Sequence, residues 1–149
     1  MLVVGSDHGG YELKEAILDL LQKRSIEHAD FGTDGSASVD YPDFAAKVAG
    51  AVSSGDAQLG ILICGTGIGM SISANKFVGV RAALVHDEFT AQMAREHNNA
   101  NILVMGGRVI TPEQGKKLVE IWLDAEFEGG RHQKRLDKIS AIEQKLIKH

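Results

Sequence analysis

The sequence predicts an α/β protein: a three-layer αβα sandwich on a five-stranded, mostly parallel, Rossmann-like sheet, closed by a C-terminal helix. Three observations carry this prediction. Short apolar runs alternate with stretches of helical periodicity along the chain. One run, LGILIC at 59–64, is apolar throughout, as a parallel strand covered on both faces must be. The 149 residues suit one domain over 1–149, and no repeat, low-complexity stretch or linker interrupts the alternation.

The elements follow in order. Residues 2–5 form a first apolar strand, ending in SDHGG. Leu13, Ala16, Ile17, Leu20 and Leu21 then recur at helical spacing. Residues 26–30 read as a weak second strand. The loop FGTDGSASVDYP leads to a helix with Pro42 near its start and Phe44, Val48 and Val52 on one face. The third strand, 59–64, is followed by glycines and a short helix after Gly69. Residues 80–85 form a fourth strand, 87–95 a helix and 102–107 a fifth strand. Thr111, Pro112, Glu113 and Gln114 compose a capping box for a helix that carries Leu118, Val119 and Trp122. After EFEGGRHQKR comes a last helix with Leu136, Ile139, Ile142 and Leu146.

Composition excludes several function classes. The net charge of −4 lacks the basic excess of a nucleic-acid binder. A single cysteine cannot form an internal disulfide, which suits a reducing cytoplasm. The N-terminal segment lacks the basic and apolar regions of a signal peptide, and no apolar run is long enough to span a membrane. The histidines and the cysteine show neither H-x-x-x-H nor C-x-x-C spacing, so no metal is expected.

The most informative stretch is ICGTGIGMSISANK, 63–76. It is not a P-loop, because Met70 and Ser71 stand where Lys and Ser/Thr belong after the last glycine. It is not the dinucleotide fingerprint, because the spacing is G-x-G-x-G. A cysteine-phosphatase loop would carry an arginine where this chain has Met70, and no G-x-S-x-G elbow is present. Alternating glycines nevertheless let successive N–H groups converge on an anion. The loop follows a central parallel strand, where doubly wound sheets bind ligands. Cys64 stands at its head, and an electropositive nest favours the thiolate; the alternative is an inert, buried thiol.

Other candidates carry similar pairs of readings. Asp7 and His8 follow the first strand and either join this edge or cap the first helix. His97 and Asn98, in REHNNAN, either act in a site or form a polar helix exit. Arg108 follows the fifth strand. Arg131 and Arg135 share a helix face and suit a phosphate, or belong to a solvated basic patch with Lys134 and Lys138. This inventory fits a small sugar phosphate whose carbonyl chemistry passes through an enediolate, without identifying the reaction.

With GSDHGGYELK, DFGT, VDYPDFA, GILICGTGIGMSISANK, REHNNANIL and EFEGGRHQKR, the sequence resembles the type B members of the ribose/galactose isomerases over nearly its whole length. The resemblance implies a metal-free and cofactor-free aldose–ketose isomerase acting on ribose 5-phosphate and ribulose 5-phosphate. It assigns the proton-transferring base to Cys64, an assisting proton donor to Thr66 and furanose ring opening to His97. It gives the enediolate to Gly65, Gly67, Ile68 and Gly69. It places Asp7, His8, Asn98, Arg108, Arg131 and Arg135 against substrate, the arginines and His8 at the phosphate, with Tyr41 lining the site. Isomerases of allose or galactose 6-phosphate and a non-catalytic sugar-phosphate sensor are the competing readings.

Topology adds one expectation. Cys64 ends a strand, whereas His97 and Asn98 precede one, so they occupy opposite sheet edges. If they serve one site, two subunits share it, in a homodimer whose further pairing into tetramers is open.

Overall fold

Each strand is followed by a helix that returns the chain to the same edge of the sheet, so every neighbouring pair of strands runs parallel. The computed structural model describes residues 1–147. Its strands are β1 (Leu2–Ser6), β2 (His28–Asp30), β3 (Leu59–Cys64), β4 (Ala82–Leu84) and β5 (Ile102–Gly106). Its helices are α1 (Tyr11–Lys23), α2 (Tyr41–Ser54), α3 (Ile68–Ala74), α4 (Glu88–Glu96), α5 (Pro112–Asp124) and α6 (Arg131–Leu146), and a 3₁₀ turn spans His8–Gly10.

The strand order is β2-β1-β3-β5-β4. Alternate side chains enter two separate cores, as the strand period of two requires. Val4, Ile61, Ile63, Leu103 and Met105 meet Leu13, Ile17, Leu21, Ala91, Leu118 and Trp122 from α1, α4 and α5. On the other face Val3, Leu62, Cys64, Ile102 and Val104 meet Ala45, Val48, Met70 and Ala74 from α2 and α3. Each large aliphatic or aromatic side chain buried this way contributes about 1.5–3 kcal/mol. The chain therefore forms the expected αβα sandwich, with a sheet that is parallel throughout rather than mostly so.

The helices that follow β1 and β3 pack on opposite faces. Their connections diverge at the carboxyl ends of these two central strands, the place where open parallel sheets bind ligands. Asp7 and Cys64 stand at these strand ends.

Several boundaries differ from the expectation for local reasons. β2 begins at His28 rather than 26, because Ser25 takes a positive φ of 56° and the Ile26 N–H bonds back to Leu21 O. β4 is shorter than 80–85; the N–H groups of Arg81 and Ala82 bond to side-chain oxygens of Asn101 and Asn75 at 2.8 and 2.9 Å instead of a strand. α3 opens at Ile68, so Gly69 lies inside it. α4 runs one residue beyond 95, with Asp87 as its cap, and β5 ends at Gly106. The Thr111–Gln114 capping box forms as expected.

The last helix packs only in part. Leu136 is buried, but Ile139, Ile142 and Leu146 are 51%, 59% and 79% exposed. The apolar stripe of α6 thus faces outward. The last two residues of the expected domain, 148 and 149, lie outside the described residues. No helix among the described residues is long and apolar enough to cross a membrane.

Candidate active site

The first half of the site is built where β1, β3 and β5 end. Cys64, 5% exposed, closes β3, and its Sγ accepts the N–H of Gly67 at 3.3 Å. The segment after β5 clamps the loop: Gly107 N–H donates to Cys64 O at 2.8 Å and Arg108 N–H to Gly65 O at 2.9 Å. Arg108 folds its guanidinium over Gly65, with Nη1 3.2 Å from where a Cβ would stand. From β1, Asp7 N–H bonds to Ile63 O at 3.2 Å, and the Asp7 carboxylate accepts Gly9 N–H at 2.9 Å. The capping alternative for Asp7 is therefore realised at the 3₁₀ turn, and the same contact sets Asp7 beside the end of β3. His8 Nδ1 accepts the Val39 N–H at 3.2 Å, which ties the loop before α2 to this edge.

The loop's shape follows from its glycines. Gly67 has a φ of 84°, a left-handed value that strains any residue with a side chain. It turns the chain sharply from Thr66 into α3. Thr66 Oγ1 accepts the Ile68 N–H at 3.2 Å, so this hydroxyl is held at the helix entrance. Among the described residues, no protein group accepts from the N–H groups of Gly65 and Thr66. A ligand oxygen can fill that role. Gly69 admits Tyr41: a Cβ there would lie 2.4 Å from the tyrosine ring. Asp7, His8, Tyr41, Gly65, Thr66, Gly67, Ile68, Gly69 and Arg108 thus gather around Cys64.

His97, Asn98, Arg131 and Arg135 do not join them. His97 caps the end of α4, before β5 begins at Ile102. Arg131 opens α6, and its neighbour His132 stacks on His97 with centroids 4.1 Å apart and planes 13° from parallel. Arg135 lies one turn further along α6. This second group sits at the amino edge of the sheet. The five residues of β5 separate the edges by roughly 17 Å.

Two members of the second group escape sequence reasoning. Glu128 Oε1 lies 3.7 Å from His97 Nε2 and 3.4 Å from His132 Nε2. His132 is 5% exposed, and its Nε2 has no hydrogen-bond partner. Burial, the neighbouring His97 and Arg131 push the His132 imidazole below its ordinary pKa, with Glu128 opposing. The four-residue spacing of Glu128 and His132 is visible in the sequence; their meeting with His97 needs the fold. The trio has the ligand types of a metal site, which spacing alone did not suggest. The stacked rings do not suit chelation, since an ion between them would lie out of both imidazole planes.

Comparison with known proteins matches this architecture. The profile of the Ribose/Galactose Isomerase family covers residues 2–139. Ribose-5-phosphate isomerase B of Escherichia coli is 48% identical over 97% of this chain and 97% of its own. The solved ribose-5-phosphate isomerase B of Clostridium thermocellum superposes with a TM-score of 0.95 at 55% identity, covering 97% of this chain and 98% of that one. The Mycoplasma genitalium enzyme, solved with bound ribulose 5-phosphate, has a TM-score of 0.92 at 46% identity and covers 96% and 95%. With this fold, this loop and matches that span nearly the whole chain, the protein belongs to the ribose/galactose isomerase family.

Proposed function

We propose that this protein is an aldose–ketose isomerase interconverting D-ribose 5-phosphate and D-ribulose 5-phosphate through an enediolate, without metal or cofactor, in the pentose phosphate pathway of the cytoplasm. One observation carries the reading: Cys64 stands at the head of a glycine loop with free N–H groups, where the connections after β1 and β3 diverge. The E. coli relative bears the name of this activity, and the Mycoplasma relative binds its product.

The proposed chemistry assigns each residue a role. Moving a carbonyl between C1 and C2 requires a base that takes the proton from one carbon and returns it to the other. Cys64 Sγ is that base. The negative charge that develops on the sugar oxygen is met by the N–H groups of Gly65 and Thr66 and by the first turn of α3, through Ile68 and Gly69. The Thr66 hydroxyl moves a proton between the two sugar oxygens. Asp7 and Tyr41 line the sugar, and His8 and Arg108 approach its phosphate. His97 opens the furanose ring beside Asn98, and Arg131 and Arg135 complete the phosphate site.

These two groups come from different subunits of a homodimer. Their separation along β5 supports this, as does the outward apolar stripe of Ile139, Ile142 and Leu146 on α6. Burying such a stripe against a second copy is the ordinary fate of an exposed apolar face.

The test assays ribose 5-phosphate, allose 6-phosphate and galactose 6-phosphate side by side. Ribose 5-phosphate should be turned over best. Cys64→Ala should lower kcat by about 100-fold or more while phosphate-ligand binding persists. Preference for a hexose phosphate, or near-normal turnover by the variant, overturns the reading.

A further inference from the structure

We infer that Glu128 is a positioning residue for His97, holding the imidazole and balancing its charge while the sugar ring opens. The inference rests on the ring-opening role proposed above for His97.

The chain around Glu128 is built to bring three side chains together. Glu128 N–H donates to Glu96 O at 3.0 Å, which fastens this residue to the last turn of α4, next to His97. Gly129 and Gly130 follow with positive φ values of 69° and 53°, and no atom lies within 4 Å of a Cβ built on either. These glycines therefore serve the backbone path, not close packing. The path turns directly into α6, and His132 N–H bonds back to Gly129 O at 3.0 Å. His132 is thereby laid flat on His97.

Both imidazoles turn Nε2 toward the same carboxylate oxygen, at 3.4 and 3.7 Å. These distances exceed a formed hydrogen bond, a common state of catalytic contacts before substrate binds. Two stacked imidazoles cannot both hold a proton without repulsion, and burial disfavours the charged form of His132. His97 is the more accessible ring of the pair, with a side chain 36% exposed against 6% for His132, so it is the one a sugar can reach, with Glu128 beside it. A carboxylate beside an imidazole fixes the ring's orientation and stabilises the imidazolium as it forms.

Opening ribofuranose 5-phosphate needs such a group. The O1 hydroxyl gives up its proton, C1=O1 forms, the C1–O4 bond breaks and O4 takes a proton. His97 relays that proton with no net change. Without Glu128, the ring is free to turn and the imidazolium loses its neighbouring charge.

Ribulose 5-phosphate supplies a clean test, because its only ring-closing hydroxyl carries the phosphate and the sugar is always open. Exchange of its C1 proton with solvent deuterium needs Cys64 but no ring opening. Glu128→Gln should lower turnover of ribose 5-phosphate by about 10- to 100-fold, the cost of a misplaced catalytic group, while C1 exchange in ribulose 5-phosphate stays within about twofold of the parent. Glu128→Asp should recover part of the lost turnover, and Glu126→Gln, at a nearby exposed carboxylate, should change neither rate. Equal loss of turnover and exchange in Glu128→Gln would mean general damage and overturns the inference, as would unchanged turnover. His97→Asn in parallel separates the premises. Selective loss of turnover there with none in Glu128→Gln refutes the role of Glu128 alone. Equal loss of both rates in His97→Asn refutes the ring-opening reading itself.

Discussion

Two inactive proteins should repair each other if the active site is shared. Cys64→Ala removes the proposed base at the carboxyl edge, and His97→Asn removes the imidazole at the amino edge. Within one chain β5 alone, Ile102–Gly106, holds the two edges roughly 17 Å apart, farther than one pentose phosphate reaches. Each variant alone should therefore lack one component at every site. Co-expressed with distinct affinity tags, the chains pair at random and about half the dimers are mixed. A mixed dimer has one site that lacks both residues and one that has both. About a quarter of all sites should thus recover full activity, and purified mixed dimers should reach about half the parental rate per dimer. The assay is ribose 5-phosphate turnover on the doubly tagged fraction, with subunit pairing verified by native mass spectrometry. Verified mixed dimers no more active than their parents would refute the shared site, because Cys64 and His97 would then have to act within one chain.

Three other outcomes follow from particular contacts. Arg131→Ala or Arg135→Ala should raise KM for ribose 5-phosphate by about 10- to 150-fold, the range of a charge-assisted hydrogen bond of about 1.5–3 kcal/mol. Affinity for unphosphorylated ribose should barely change, and equal losses for both sugars would contradict the phosphate role. Gly69→Ala forces a methyl group to within 2.4 Å of the Tyr41 ring, so it should lower the melting temperature and raise KM. Adding Tyr41→Ala should restore the stability by removing the clash, and a melting temperature unmoved by the second change would refute this account. The lowered pKa of buried His132 makes the unfolded chain bind more protons than the folded one below pH 6.5, the ordinary value. Stability should therefore fall as pH drops through and below 6.5, and chemical denaturation at pH 7.5 and 5.5 should show a smaller difference for His132→Gln.

Much of the architecture is legible in the chain itself, because strand and helix periods are local properties. LGILIC reads as a buried parallel strand without reference to any neighbour, and the Thr111–Gln114 capping box forms where its residues stand. The glycine loop is legible for the same reason: backbone freedom and the place of Cys64 at a strand end are matters of adjacent residues. Boundaries were less so. Side chains of Asn75 and Asn101, distant in sequence from one another, take the N–H groups that a longer β4 would have used.

What the sequence by itself determined, then, was the alternation of elements and the placing of Cys64 and its glycine loop at the end of β3, since both depend on residues next to one another. The tertiary structure alone decided what depends on distant segments meeting. It separated Cys64 from His97 across the length of β5. It left the apolar stripe of α6 outside the core. It also brought Glu128 and His132 onto His97, through a backbone bond from Glu128 to α4 and a left-handed Gly129–Gly130 turn whose direction no local period encodes.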